Sequence, residues 1–381
     1  MTKYESTLDK KRIVRNTYEV SLIIKEITRG KDIEYKRLKK AFSLILENKV
    51  EQKDLHFGAL FAALKTKRPT EEEIIALLDT ALQLDEFNNK EKIKLDYLGK
   101  IYNMVGSGKD DIKTFNVSTT AAFIASAGGL RVAKNSSYAT AGITGSRDIL
   151  EGIGINLNLP TSKMIEALEK YGIAFFAIEN QIPKFDKAYG GKFFFIHPLS
   201  YILPALVLPI YVDGVLYGIA DIDTELSARL LKKYNFDNSM VVCGMNNYKN
   251  KYIDEISIFR PTKITEIRNR SIKTYIFHPE RIGLKLAKEK EIISNINREE
   301  NTLTFLRILS GLDNGPRSEM TCLNSGALLY ISGICDSIKE GYSLSKELIE
   351  SKQPLSKLQA LVNFTGGNTK KFDALVKKLY V

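Results

Sequence analysis

Near Lys100 the chain changes its hydrophobic period, and that change sets what it can fold into. Over residues 18–84 apolar residues recur at helical spacing. "EVSLIIKEITRG" stops on Gly30, a residue suited to a helix C-terminus. "EYKRLKKAFSLILENK" carries one apolar stripe, and "DLHFGALFAALKTK" offers Gly58, Ala59, Ala62 and Ala63 for close helix contact. In "RPTEEEIIALLDTALQL", Thr70 followed by Glu73 predicts a capping box. Beyond Lys100 the runs "RVAK", "IAFFAI", "SMVVCG", "EISIF" and "TYIF" alternate with helical stretches, which predicts an α/β layer on a mainly parallel sheet. Residues 303–379 read as helical again. The expected organisation is a basic N-terminal extension over 1–20, a small helical domain over 21–97 and a large α/β domain over 98–381.

The chain of 381 residues, 44% hydrophobic, has enough apolar surface for one large core or two domains. Cys243, Cys322 and Cys335 show neither metal-ligand spacing nor a paired framework, so they read as reduced thiols of an intracellular protein. The first twenty residues hold no apolar signal core, and no run of about 18 apolar residues occurs. No membrane span and a cytoplasmic location are expected. The net charge is +11, of which the first forty residues supply +6, from twelve Lys/Arg against six Asp/Glu. That surplus favours anionic partners such as phosphates, nucleic acid or acidic membranes; a solvated basic surface is the plainer reading.

The chemistry concentrates in "GSGKDDIKTFNVSTT", residues 106–120, which runs directly into the apolar "AAFIASAGGL". Gly106 and Gly108 let the backbone approach a ligand without a Cβ in the way. A helix starting near Ser118 presents unpaired N–H groups and the positive end of its dipole. Together they make an anion cradle, to which Thr114, Asn116, Ser118 and Thr119 add side-chain donors. Lys134, at the end of the next expected strand, adds a point charge. A plain turn before a capped helix is the competing reading. Asp254 and Glu255 stand before "ISIF" in a stretch rich in Lys and Arg. Such a pair suits Mg²⁺, which joins carboxylates to phosphates, although a surface pair relieving positive charge would look the same. His197 reads as a structural residue opening "HPLSYILP". No Ser/His/Asp or Cys/His arrangement appears.

At these residues the chain resembles the anthranilate phosphoribosyltransferase family. "GSGKDDIKTFNVST" looks like its "GTGGD…TFNIST" loop, and "LKTKRPTEEEI" like "LRxKGETxEEI". "GITGSRDILEGIGINLNLP" is similar to "SxSGSADVLEALGVNLDL", and "DEISIFRPTKITEI" to "DEISLxGPTxVxEL". "HPERIGL" and the segment opening "GPRSEMTCLNSGALLYISG" look like its C-terminal signature. The resemblance covers almost the whole chain after residue 20. It implies the fold of nucleoside phosphorylases and their phosphoribosyltransferase relatives: a small helical domain, helped by helices from about 193–212, hinged to a large α/β domain, with the ligand in the cleft. It also implies a homodimer through the helical domain. By position, Gly106, Ser107, Gly108, Asp110, Thr114, Asn116, Ser118, Thr119, Lys134 and Ser146 would hold 5-phosphoribosyl 1-pyrophosphate (PRPP). Ser118, Asp254 and Glu255 would bind Mg²⁺. The implied reaction displaces pyrophosphate from the ribose anomeric carbon by a small aromatic acceptor.

The acceptor half departs from the pattern. Lys109 stands where the family has Gly, and "KHGNR" becomes "KNSSY", which puts Asn135 and Ser137 in place of His and Asn. After His197 the family reads roughly "HPAMKxVxPVRxxLGxRTIFNLLGPL", against "HPLSYILPALVLPIYVDGVLYGIADI" here. Val207 occupies the place of the arginine that pairs the acceptor carboxylate, Asp213 stands near the second arginine, and Tyr217 replaces the Asn after it. No Lys or Arg lies between Lys192 and Arg229. A carboxylate in a cleft needs a cation or several donors. The acceptor pocket, assigned to Asn135, Ser137 and Val207, is therefore rebuilt. Three readings stand: a PRPP-dependent transferase for another aromatic or heterocyclic acceptor; an anthranilate enzyme of tryptophan biosynthesis using another cation, Lys109 or Arg147; and a non-enzymatic relative that binds nucleic acid through a basic cleft.

Overall fold

The helical period before Lys100 forms four helices, Lys3–Thr28, Tyr35–Leu46, Lys53–Lys67 and Glu71–Leu84. The computed structural model describes residues 3–89, 91–139, 144–191, 193–246 and 251–380. The chain divides into two compact units: Met1–Lys90 with Ile182–Leu203, and Glu91–Gln181 with Pro204–Val381.

In the first unit, the segment read as a basic extension is the front of one 26-residue helix. Val20, Ile23 and Ile27 bury its inner stripe, while Lys10, Lys11, Arg12 and Arg15 stay exposed. Phe42, Phe57 and Phe61 form an aromatic core, with ring centroids 4.7–5.6 Å apart. His197 stacks on Phe61 at 5.0 Å, and its Nε2 lies 2.8 Å from the Tyr189 hydroxyl, a position inside this apolar cluster. Thr70 and Glu73 form the capping box read from the sequence. The Glu73 carboxylate, fully buried, also accepts from the Ile33 N–H at 2.9 Å and pairs Lys67 at 2.7 Å. The helices implied for about 193–212 shrink to a single turn, Pro198–Tyr201, and four residues, Leu203–Leu206. Pro198, Pro204 and Pro209 cannot donate to a helical ladder, which keeps this segment short.

The second unit is built on an eight-stranded sheet: β1 Ile101–Gly106, β2 Arg131–Ser136, β3 Ile173–Ala177, β4 Gly214–Gly218, β5 Asn238–Asn246, β6 Lys251–Ile253, β7 Thr262–Arg268 and β8 Ser271–Phe277. The order is β3-β2-β1-β4-β5-β7-β8, with β6 also on β5. The first five strands are parallel; β6, β7 and β8 pair antiparallel. This is the mainly parallel α/β sheet that the alternation predicted. Helix Val117–Ala127 crosses from β1 to β2 and packs Phe123 against Phe175 of β3 at 5.5 Å.

"EISIF" is a turn rather than a strand. Asn324 of helix Pro316–Ser332 takes both the N–H and the carbonyl of Ile256, at 3.0 and 2.9 Å, and Ser257 Oγ accepts from the N–H groups of Phe259 and Arg260. Side chains have claimed the backbone that a neighbouring strand would use. β6 and β7 also lie outside the runs read from the sequence, as do the glycine-bearing strands β1 and β4. Their glycines are there for space: a Cβ on Gly218 would collide with the backbone of Asp254.

Removing one partner of a buried ion pair strands the other. Glu73→Ala is expected to destabilise the helical unit by about 3–5 kcal/mol in urea unfolding. Asp32, the second partner of Lys67 and 70% exposed, should cost under about 1 kcal/mol on replacement by Ala. Equal effects would show that the buried pair does not anchor this unit.

Candidate functional site

Parallel strands deliver their C-terminal ends to one edge, and the loop after β1 leaves from there. Ser107 N–H donates to the Gly218 carbonyl of neighbouring β4 at 2.9 Å, which continues the ladder one residue past the strand. The chain then turns through Gly108 at φ +65°, a left-handed conformation that glycine adopts without strain. Its N–H and the Ser107 hydroxyl both donate to Asp254 Oδ2, at 2.7 and 3.0 Å. Asp254 N–H in turn donates to Asp110 Oδ1 at 2.6 Å. Asp111 and Tyr252 exchange two further bonds of 2.9 and 3.0 Å. The loop is thus laced onto the 252–255 segment. A Cβ at Gly106 would strike the Asp254 carboxylate, so this glycine makes room for an acid.

Carboxylate oxygens of Asp110, Asp254 and Glu255 lie within 4.8 Å of one another. Thr114 Oγ1 donates to Glu255 Oε1 at 3.0 Å, but Glu255 Oε2 is buried with no hydrogen-bond partner among the described residues. Burial, then the charges of Asp254 and Glu255, hold the Asp110 carboxyl well above its usual range. Burial, then Asp254, does the same for Glu255. Ser118 shares a narrow pocket with Gly106, Gly218, Asp254, Glu255 and Asn324. Three hard carboxylates and an orphaned buried oxygen fit a magnesium ion.

Lys134, on β2, donates to the Met104 carbonyl at 2.6 Å. Burial pushes its ammonium down to about 7, against the opposing pull of Asp254 and Glu255. Thr119 is buried in the first turn of helix Val117–Ala127, and its hydroxyl has no partner among the described residues. Asn116 is turned to Thr144: its amide donates to the Thr144 carbonyl at 3.4 Å and its oxygen accepts from the Thr144 hydroxyl at 3.3 Å. Ser146 Oγ accepts from Ser137 N–H at 3.1 Å. So Gly106, Ser107, Gly108, Asp110, Thr114 and Ser118 come together with the acid pair. Asn116 and Ser146 instead brace the loop after β2.

Lys109 is buried in the cradle loop, its ammonium lowered to about 8 by burial and then by Lys113. Arg147 is bound elsewhere. Its Nε reaches Glu151 at 2.9 Å, Nη2 reaches Asn158 at 2.7 Å, Nη1 lies 3.4 Å from Glu179, and its guanidinium carbon sits 4.5 Å over the Tyr138 ring. The side chain of Val207 is fully buried, and its carbonyl accepts from Asn135 Nδ2. Asn103 steadies Asn135 through a 2.8 Å bond to its oxygen. Sequence reasoning missed Asn324, Asn103 and Asn301, which donates to Thr144 at 3.0 Å. Asn324 lies inside the quoted "TCLNSGA", but nothing in the sequence says that it faces Ile256.

The family model described as "Glycosyl transferase family, a/b domain" matches residues 98–353. Anthranilate phosphoribosyltransferase of Acetivibrio thermocellus is 33% identical over 348 residues, 90% of this chain and 95% of that protein. That of Methanococcoides burtonii is 29% identical over 347 residues, 91% and 94% of the two. Among solved structures, anthranilate phosphoribosyltransferase from Thermus thermophilus superposes with a TM-score of 0.75 at 24% identity, covering 90% of this chain and 99% of that one. The Saccharomyces cerevisiae enzyme in complex with PRPP and Mg gives 0.70 at 21%, covering 87% and 93%. These structures share the fold, and with the match in sequence along nearly its full length the chain belongs to the anthranilate phosphoribosyltransferase family of glycosyltransferases.

Proposed function

We propose that this protein binds PRPP with Mg²⁺ and transfers its phosphoribosyl group to the nitrogen of a small aromatic amine, releasing pyrophosphate. The observation that carries the reading is Glu255 Oε2, buried without a partner beside Asp110 and Asp254, directly under the loop of Ser107 and Gly108. Asp110, Asp254 and Glu255, with Ser118 beside them, would hold the magnesium. When bound, the ion supplies positive charge to the leaving pyrophosphate. The amides that open helix Val117–Ala127, with Thr119 and Lys134, add donors for the same charge. The amine nitrogen attacks the anomeric carbon, the carbon–oxygen bond to pyrophosphate breaks, and the proton on nitrogen is lost to solvent. An aromatic amine is already a nucleophile, so the chain's work is positioning and charge stabilisation.

The nucleic-acid reading loses one of its supports, because Glu151 and Glu179 offset the charge of Arg147. Among the described residues no helix is long and apolar enough to cross a membrane. Self-association through the helical unit fits an exposed apolar stripe on Lys3–Thr28: Val14, Tyr18 and Leu22 are 55%, 66% and 38% exposed, four residues apart on one face.

Calorimetry should show PRPP heat that requires Mg²⁺, and replacing Asp254 and Glu255 together by Ala should abolish it while the thermal unfolding transition persists. Wild type silent at millimolar PRPP and Mg²⁺ would remove the basis of the reading. For the stripe, Tyr18→Glu should convert a dimer to a monomer in sedimentation; a wild type that is already monomeric would exclude this face.

The acid group also predicts a pH dependence. The folded chain holds protons on Asp110 and Glu255 above the usual 3.8 and 4.5, so above about pH 4 it binds more protons than the unfolded chain. Without metal, stability therefore falls as pH rises through that range. In EDTA, Tm should drop from about pH 4.5 to about pH 6, below the range where the buried lysines lose their protons, Mg²⁺ should recover it at the upper end, and Glu255→Gln should flatten the slope. A metal-free Tm that rises over that window would contradict the acid assignment.

A further inference from the structure

The segment that carries the acids is held at its two ends by different means. Its front is tied to the cradle loop, through Asp111 to Tyr252, Asp110 to the Asp254 N–H and Gly108 to the Asp254 carboxylate. Its back is tied to itself: Thr262 Oγ1 accepts from Ser257 N–H at 2.9 Å, and Ser257 Oγ accepts from the N–H groups of Phe259 and Arg260. Between the two stands Ile256, fully buried and directly after Glu255. Among the described residues its N–H and its carbonyl bond only to Asn324, at 3.0 and 2.9 Å. Asn324 is itself 1% exposed, and its amide nitrogen also donates to the Met320 carbonyl, one turn back in its own helix, at 2.9 Å. A flipped amide would aim its oxygen at two carbonyls, so the side chain has a single bonded orientation.

We propose that Asn324 is the positioning residue of the metal group: it fixes the peptide plane between Glu255 and Ile256, and with it the aim of the Glu255 carboxylate. This rests on the reading above that the acids hold Mg²⁺ for PRPP. The Ile256 N–H belongs to the same planar amide as the Glu255 carbonyl, so a bond to it restrains the rotation that would swing the Glu255 side chain. Glu255 needs that restraint, because its own bonds leave it half held: Thr114 donates to Oε1, and Oε2 has no partner among the described residues. Asn324 lines the same narrow pocket as Ser118, Asp254 and Glu255, yet its hydrogen bonds all go to backbone groups, so it acts on the acids through the chain. A neutral amide is the chemistry this place calls for. It gives one buried residue both a donor and an acceptor, and it adds no fourth negative charge beside Asp110, Asp254 and Glu255.

The test titrates wild type, Asn324→Ala, Asn324→Leu and Thr262→Val with Mn²⁺, an oxygen-loving stand-in for Mg²⁺ whose free form is read by electron paramagnetic resonance. Tm in EDTA and PRPP heat at saturating Mg²⁺ are recorded separately. Asn324→Ala and Asn324→Leu should weaken Mn²⁺ binding about tenfold or more, the scale on which groups that orient metal ligands act. Both should recover PRPP binding when Mg²⁺ is raised in proportion. Thr262→Val removes a bond from the far end of the same segment, so it should lower Tm and leave the Mn²⁺ affinity at the wild-type value. Asn324 variants that lose Tm but keep wild-type Mn²⁺ affinity overturn the proposal, as does Thr262→Val weakening the metal equally, or a wild type that binds no Mn²⁺. If Asn324→Leu fails to fold, Asn324→Ala, which leaves room for water at the vacated amide, still decides. Mn²⁺ binding that depends on Asn324 in a protein giving no PRPP heat would keep Asn324 as the positioning residue and remove the transferase reading.

Discussion

One carboxylate organises the site. Asp254 fills the space that Gly106 leaves open, its backbone lies over Gly218, and its Oδ2 takes a hydroxyl from Ser107 and an amide from Gly108. Two glycines on neighbouring parallel strands and a left-handed glycine in the loop are therefore parts of one contact. The anion cradle and the acid group cannot move independently, because the loop that would face phosphate is tied to the acids that would face the metal. Asn324 holds the other end of the segment through both polar groups of Ile256, so helix Pro316–Ser332 sets where the acids stand. Such a site carries a standing electrostatic strain: burial and the neighbouring acids raise the proton affinity of Asp110 and Glu255, and a metal–phosphate ligand relieves it.

Much of this half was legible in the sequence, because its chemistry is local. A G-x-G turn before an apolar helix has one sterically easy outcome, and Thr70 with Glu73 has one capping geometry. Four strands, β1, β4, β6 and β7, escaped notice; β1 and β4 carry the glycines that the site requires, and β7 interleaves Lys263, Glu266 and Arg268 with its β-branched residues. "EISIF" misled in the opposite direction: its β-branched residues are buried, but Asn324 and Ser257 hold their backbone in a turn. No local pattern reports a bond formed by a side chain some seventy residues away.

Single-position comparison also misjudged charge. Arg147 reads as a new cation, since the family has Ala there, and Tyr138 reads as a lost one, since the family's "KHGNR" ends in Arg. The structure stacks the Arg147 guanidinium on the Tyr138 ring and gives it Glu151, Glu179 and Asn158. These bonds take three of its five N–H groups, and two carboxylates already offset its charge.

The same reasoning bears on the missing acceptor arginine. A cation is a requirement of a place in space, and the chain can meet it from any segment that passes there. The bridge between Ile93 and Ile210 lays the two segments side by side, and the Lys92 side chain reaches the Leu206 carbonyl at 2.7 Å, more than a hundred residues away in sequence. An ammonium is a compact point charge, without the planar fork that fixes a carboxylate in two bonds, and it loses its proton more readily when buried. The donor half kept the geometry that its chemistry dictates, whereas the acceptor half, around the fully buried Val207, did not keep its arginine. That asymmetry explains why one half of the site stayed recognisable while the other was rewritten.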